Sequence, residues 1–340
     1  MNIYIDKPNL LSIVRSVKNE QYDDCKNMLK KHFKILFTFE KERIMEFTPI
    51  DRQEVMLWLS QMTTGIGLDN VDNVKWGESF LQRPLDISNY KDCKLSSVYC
   101  LSPKFNSQKK EDTKLESEIK KGNLLIACQG EEISLLSTLY FEDLQFTRHI
   151  FFEISSWNDL VKYTSPCTDI IITDPYIFSS PELYQYNIYT LIKLLSRTVK
   201  NSKLNIVIFT LKSYYDKITK VNYVPDWDDI YRKIRKCAEK HTSFNVTFVT
   251  ASKDTLDEHD RTIFTNYKLF TSGDTYNYFN SNGDKLTKGR NFYVHSNVTK
   301  SNVDISKKFI EDMQRIIDNI KSKGNDSLIK KDKISNYLKF

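Results

Sequence analysis

The sequence predicts an α/β protein in two parts, and three observations predict it. From His149 to His295, apolar runs of strand length alternate with amphipathic stretches of helical period. Some of those runs, Ile170 to Ile172 and Leu204 to Leu211 among them, are almost wholly apolar, as strands buried on both faces are. At 340 residues the chain has room for two ordinary cores, at about 100–200 residues per domain. The expected division is residues 1–145, a smaller α/β domain of unknown type; 146–298, a mixed sheet flanked by helices; and 299–340, an amphipathic helix with a basic tail.

In the first part, Asn2 to Asp6 reads as a strand, followed after Pro8 by a helix to about Val17. Tyr22 to Lys31 carries leucine and methionine at helical spacing, and Ile35 to Glu40 alternates like a strand. Asp6, with Asp23 and Asp24 downstream, invites comparison with a metal nuclease whose carboxylates sit at strand ends; the competing reading is a routine helix cap. Arg52 to Gln61 is helical. Met62 to Gly67 lacks the lysine of a phosphate loop and reads as a plain loop. Pro103 to Lys121 is almost wholly polar, an exposed helix or a connector. Gly122 to Gly130 is a strand ended by glycine, Glu131 to Leu139 a helix, and Phe141 to Phe146 a connector. The glutamates Glu131 and Glu132 suit a helix N-terminus and would repel a phosphate there.

In the second part, His149 to Glu153 is a strand, Ser156 to Tyr163 a helix, and Asp169 to Thr173 a central strand stopped by Pro175. Glu182 to Thr198 is a helix, Leu204 to Leu211 a strand, Asp226 to His241 a basic amphipathic helix, and Phe244 to Val249 a strand. Phe292 to His295 closes the sheet after a hairpin signal at Ser281 to Asp284. Ile305, Phe309, Met313, Ile316, Ile317 and Ile320 form an apolar stripe that should pack on the body or on a second subunit.

Composition narrows the function classes. A net charge of +6 with 28% charged residues implies only a weak preference for polyanions. Cys25, Cys93, Cys100, Cys128, Cys167 and Cys237 show no paired spacing, so neither a zinc site nor a disulfide framework is expected. No cofactor is called for. The first residues lack a secretory pattern and no apolar run approaches ~18 residues, so the expected location is cytoplasmic.

The densest group of phosphate-handling residues is Glu258 to Asn280. His259 and Arg261 alternate on an expected strand and so share a face, where a histidine can attack phosphorus while a guanidinium grips two oxygens. Asn266 ends the strand, Gly273 and Asp274 form a turn, and Asn277 follows. Asp174 and Tyr176, at the end of the central strand, stand where ligand sites of α/β sheets concentrate.

These residues resemble the phospholipase D superfamily, whose motif is His, any residue, Lys, four residues, Asp, six residues, Gly, Ser, two residues, Asn. His259, Arg261, Asn266, Gly273, Asp274 and Asn277 stand at those offsets, with Arg261 for Lys, Asn266 for Asp and Asp274 for Ser. The pattern is most similar to the phospholipase D-like domain at the C-terminus of MIT-domain proteins and its bacterial relatives, which share HDR and an upstream strand ending in Asp-Pro-Tyr, here Asp174 to Tyr176. The resemblance spans about residues 150 to 298.

It implies a phosphodiesterase, most readily a nuclease acting on nucleic acid and at work in bacterial antiviral defence. His259 would be nucleophile, Arg261 and Asn277 would hold the phosphate, Asn266, Gly273, Asp274, Asp174 and Tyr176 would line the substrate site, and no metal would take part. His295 is a candidate acid. Because the superfamily's chemistry uses two histidines and this chain has one motif, a homodimer is implied, with the apolar stripe near its interface. The alternative is a catalytically silent module that recruits to an anionic membrane or a nucleic-acid end.

Overall fold

Helices connect the first three strands of the N-terminal part, as parallel neighbours require, since these cannot be joined by a tight hairpin. The computed structural model describes the chain outside residues 65–72, 79–96, 101–123, 128–129, 140–148, 152–153, 166, 168, 198–203, 216–219, 239–243, 257–260, 287–291 and 325–327. Outside the described residues lie Gly65 to Gly67 of the expected loop, the polar run Pro103 to Lys121, the connector Phe141 to Phe146, and His259. The chain divides into two compact units: Met1–Asp86 with Lys94–Phe141 and Val298–Val303, and Ile87–Cys93 with Glu142–Asn297 and Asp304–Phe340.

The first unit contains β1 (Asn2–Ile5), α1 (Lys7–Arg15), α2 (Tyr22–His32), β2 (Lys34–Phe37), α3 (Pro49–Thr63), β3 (Val74–Lys75), β4 (Ser97–Cys100), β5 (Leu124–Ala127) and α4 (Glu132–Leu139). Its strands run in the order β3-β2-β1-β4-β5, every pair parallel. The order reverses direction beside β1, the strand arrangement of a doubly wound sheet. Ile3 and Ile5 of β1, Leu10 and Ile13 of α1, and Val55 and Trp58 of α3 are buried in its core.

The second unit holds β6 (His149–Phe151), β7 (Asp169–Thr173), α5 (Ile188–Ser196), β8 (Leu204–Leu211), the hairpin β9 (Tyr214–Tyr215) and β10 (Asn222–Tyr223), α6 (Trp227–Ala238), β11 (Phe244–Ala251), β12 (Arg261–Thr265), β13 (Lys268–Ser272), β14 (Phe292–Ser296), most of α7 (Lys300–Ser322) and β15 (Ile329–Lys331). Eight strands form one sheet in the order β15-β11-β8-β7-β12-β13-β14-β6. Strands β11, β8 and β7 are mutually parallel, and the remaining pairs are antiparallel. Strands β7 and β8 are buried along their whole length, as their unbroken apolar runs require. The protein is therefore α/β, with a mixed sheet in this unit.

Three elements depart from expectation for identifiable reasons. The helix expected from Glu182 breaks into a 3₁₀ turn at Pro181–Leu183 and α5, because buried Asn187 turns its side chain to other elements. Its Oδ1 accepts from the Phe279 N–H at 3.0 Å and its Nδ2 donates to Phe279 O at 2.8 Å. Trp157–Tyr163 is a 3₁₀ helix rather than an α-helix, anchored by the Asp159 carboxylate on the N–H groups of Ser155 and Ser156.

The third is the apolar stripe of α7. Met313, Ile317 and Ile320 are buried, but Ile310 rather than Ile305 completes their face, and Ile305 is 52% exposed. Phe309 approaches Phe264 of β12, so the stripe is spent on the sheet of its own chain. The lysine-rich run beyond Gly324 supplies β15, antiparallel to β11, and then buries Tyr337 and Leu338. No helix among the described residues is long and apolar enough to cross a membrane.

Candidate functional site

Register places the motif residues along the sheet. Thr262 of β12 pairs with Thr173 of β7, so Arg261 stands one residue further, level with Asp174. Arg261 in turn pairs with Ser272, the residue before Gly273. The carboxyl end of β7, the amino end of β12 and the carboxyl end of β13 thus meet at one edge, where open α/β sheets place their ligands.

Asp174 is the hub of that edge. It is fully buried, and its Oδ1 accepts from the Tyr176 N–H at 2.9 Å. Its Oδ2 accepts from the Thr275 hydroxyl and the Tyr276 N–H, both at 2.7 Å. Burial pushes its carboxyl up to about 6, against the opposing pull of these donors and of the nearby Arg261 guanidinium. With its oxygens engaged, Asp174 positions the loops around it.

Arg261 is half-buried, and its Nη1 donates to Gly273 O at 3.2 Å. That bond fixes a cation against the turn that follows β13. Inside the turn the Ser272 hydroxyl donates to Asp274 O at 2.6 Å and accepts from the Asp274 N–H at 3.1 Å. Asn277, also buried, donates from Nδ2 to Tyr176 O at 3.1 Å and Ile177 O at 3.3 Å. The Asp-Pro-Tyr segment and the motif turn are therefore laced together from both sides. No protein-family model matches the chain, and no curated protein matches it.

Two expected site residues stand elsewhere. Asn266 follows Thr265, which pairs with Ile170, so it lies at the opposite end of β12 from Arg261, five residues or ~17 Å away at ~3.3 Å per residue. It is buried, its Oδ1 accepts from the Asp169 N–H and its Nδ2 donates to the Tyr337 hydroxyl, both at 3.1 Å. Asn266 ties β7 and the C-terminal segment to the β12–β13 turn and does not reach the substrate site expected of it. His295 pairs with Leu269, and Leu269 with Phe264, three residues from Arg261's row and two strands across. That is roughly 10 Å along the sheet and roughly 10 Å across it, too far for an acid serving a phosphate held at Arg261 in the same chain.

In the first unit Asp6 caps α1, its Oδ1 accepting from the Asn9 N–H at 2.9 Å. Asp23 and Asp24 fall in the first turn of α2, where Asp23 pairs with Lys26. No cluster of three or more metal-ligating side chains occurs among the described residues. Glu132 is buried, accepting from the Gly130 N–H at 2.8 Å and the Ser12 hydroxyl at 3.0 Å, and so organises the β5–α4 turn.

The sequence reading missed the aromatic surround of Asp174. The Tyr276 hydroxyl donates to Arg261 O and Phe270 O at 3.1 Å, and Tyr214 meets Thr210 at 2.7 Å beside the same carboxylate. Thr275 and Tyr276 fill the two unspecified places in the motif, so spacing gave no reason to single them out. The basic helix α6 is also less open than its sequence suggests. Trp227 is buried against Phe178 and Phe248, Lys233 and Arg232 pair with Asp229, and Arg235 donates to Tyr231.

Proposed function

We propose that the protein is a phosphodiesterase of phospholipase D-like type that cleaves nucleic acid. The observation that carries this reading is the convergence of Arg261, the Gly273–Asn277 turn and Asp174 on one sheet edge. That places a fixed guanidinium beside backbone held in a turn, the kind of site that receives a phosphate. His259 lies two residues before Arg261 in the sequence and is assigned the nucleophile by its place in the motif.

In the proposed reaction a ring nitrogen of His259 attacks phosphorus, the ester P–O bond breaks, and the departing oxygen takes a proton from a second histidine. Water then attacks the phosphohistidine while the second histidine takes up its proton, the P–N bond breaks, and both histidines are restored. With one motif per chain, the second histidine is His259 of a second copy, so the working form is a homodimer. A role in bacterial antiviral defence follows from analogy with the bacterial relatives alone.

Two observations favour a second reading, a binding module without turnover. The Asn277 amide group is spent on Tyr176 and Ile177, and Arg261 replaces the motif's lysine. Incubation with labelled DNA, labelled RNA and anionic liposomes, with and without EDTA, separates the two. Cleavage that survives EDTA and is lost in Arg261→Ala supports the phosphodiesterase; liposome or nucleic-acid retention without cleavage supports the module; cleavage abolished by EDTA overturns both.

A further inference from the structure

Strand β8 ends at Leu211 on the same sheet edge as Asp174, and the chain turns there into the β9–β10 ribbon. The ribbon is fastened to that edge by its inner face. Tyr214 and Tyr223 lie opposite one another on it, with ring centroids 6.4 Å apart. The Tyr214 hydroxyl meets that of Thr210 at 2.7 Å, and the Tyr223 hydroxyl meets that of Tyr184 at 3.2 Å. Thr210 donates in turn to Pro175 O at 3.3 Å, within the Asp-Pro-Tyr segment. A two-stranded ribbon is marginal by itself, so these contacts are what hold it at the candidate site.

The outer face has no such partners. Alternation along the strands puts Tyr215 and Asn222 there, directly opposite one another, and both are exposed. Val224, just past β10, is exposed as well. Tyr215 is 61% exposed, and no other aromatic side chain among the described residues is exposed to that degree. Its ring and hydroxyl make no ring contact or side-chain hydrogen bond among the described residues, so packing gives no reason for a tyrosine here. A ring held out in water on an anchored strand, beside an amide, is a surface for a flat partner with polar edges. Its place in the fold says which. From β8 to β12 is two strands, ~10 Å at about 4.8 Å per strand, or roughly three nucleotide steps at the ~3.4 Å rise of a stacked strand.

We infer that the outer face of the β9–β10 ribbon is a platform for one base of a single-stranded nucleic acid whose phosphate lies at Arg261. Tyr215 stacks on the face of the base, and the Asn222 amide hydrogen-bonds its edge. Stacking of this kind accepts any base, and it requires a base whose face is free, which a duplex does not offer. The substrate class rests on the phosphodiesterase reading; the exposure and anchorage of the ribbon do not.

The test uses the full chain carrying His259→Ala, which leaves the probe intact under the proposed mechanism. Binding is measured for an oligothymidylate of about ten nucleotides, for a duplex of the same length, and for vesicles of phosphatidylserine and phosphatidylcholine. Tyr215→Ala should weaken oligothymidylate binding by about fivefold to a hundredfold at an unchanged melting temperature, and Tyr215→Phe, which keeps the ring, by no more than about twofold. Tyr215→Trp should add a saturable fluorescence quench on titration with the oligothymidylate that the parent lacks. In the chain that retains His259, Tyr215→Ala should raise KM for a single strand with little change in kcat. Oligothymidylate affinity within about twofold of the parent in Tyr215→Ala, a duplex bound as tightly as the single strand, or a fluorescence response of the tryptophan variant to vesicles and not to the oligothymidylate would overturn the inference. Cleavage with KM unaffected by Tyr215→Ala overturns the platform and leaves the phosphodiesterase standing. Oligothymidylate bound through Tyr215 by a protein that cleaves nothing supports the platform and overturns the phosphodiesterase alone.

Discussion

The Tyr276 N–H donates to Asp174 Oδ2 at 2.7 Å, tying the end of β7 to a turn 102 residues further along the chain. With the Thr275 and Tyr176 bonds, it makes one buried carboxylate the organiser of the candidate site. Asp174→Ala should leave the buried Tyr276 N–H and the part-buried Tyr176 N–H without an acceptor and cost about 3 kcal/mol or more. Urea denaturation followed by tryptophan fluorescence measures this, and a loss under about 1 kcal/mol would show that the loops hold without it.

The pH dependence of that contribution has a definite sign. The folded carboxyl is raised from 3.8 to about 6, so between those values the native state binds more protons than the unfolded one. The contribution of Asp174 to stability therefore falls as pH rises from about 4 to about 6, by about 3 kcal/mol in all, and is level above that window. The stability difference between wild type and Asp174→Asn should track this curve; a difference independent of pH across it would contradict the assignment.

Asn266 and Arg261 share the motif and a strand yet should behave oppositely. Asn266→Ala removes two buried hydrogen bonds at the far end of β12 and should lower stability by about 2 kcal/mol without changing phosphate affinity. Arg261→Ala should abolish inorganic phosphate binding with little change in unfolding. Calorimetric titration with phosphate, paired with denaturation, separates them, and a loss of phosphate affinity in Asn266→Ala would return that residue to the site.

Much of the fold was legible because the strands announce themselves. Asp169–Thr173 and Leu204–Leu211 are unbroken apolar runs, and the structure places strands on those same residues. What could not be read was side-chain traffic between distant segments. Nothing local to Asn187 indicates that it serves Phe279 and thereby shortens a helix, and the period of α7 did not reveal that Ile310 rather than Ile305 faces inward. For the site, the register brings Asp174, Arg261 and the Gly273 turn to one sheet edge, and the motif spacing had grouped Arg261 and Gly273 with Asn266. That spacing cannot distinguish a residue at one end of a strand from one at the other, which is why Asn266 was counted with Arg261 and Gly273.

The C-terminal segment should be integral to the second unit. Tyr337 meets Phe264 edge-on at 5.1 Å, and the Asn336 N–H donates to Asp169 Oδ1 at 2.9 Å. Tyr337→Ala leaves a cavity against the sheet and should cost about 3 kcal/mol. A melting temperature unchanged by this substitution, or by removal of residues 335–340, would show the segment to be dispensable.

His295→Ala should leave cleavage unaltered, because the residue lies far from Arg261 along the sheet. Light scattering of the full chain should report a dimer. A monomer that cleaves, or cleavage lost with His295, would remove the reason for pairing two copies of His259.

The most direct measurement is to trap the covalent intermediate. Wild-type protein is mixed with internally labelled DNA or RNA in EDTA, quenched in base to preserve phosphohistidine, and mapped by mass spectrometry. The account predicts label at His259, and none in His259→Ala or Arg261→Ala. Cleavage without retained label, or label that persists in His259→Ala, would contradict it.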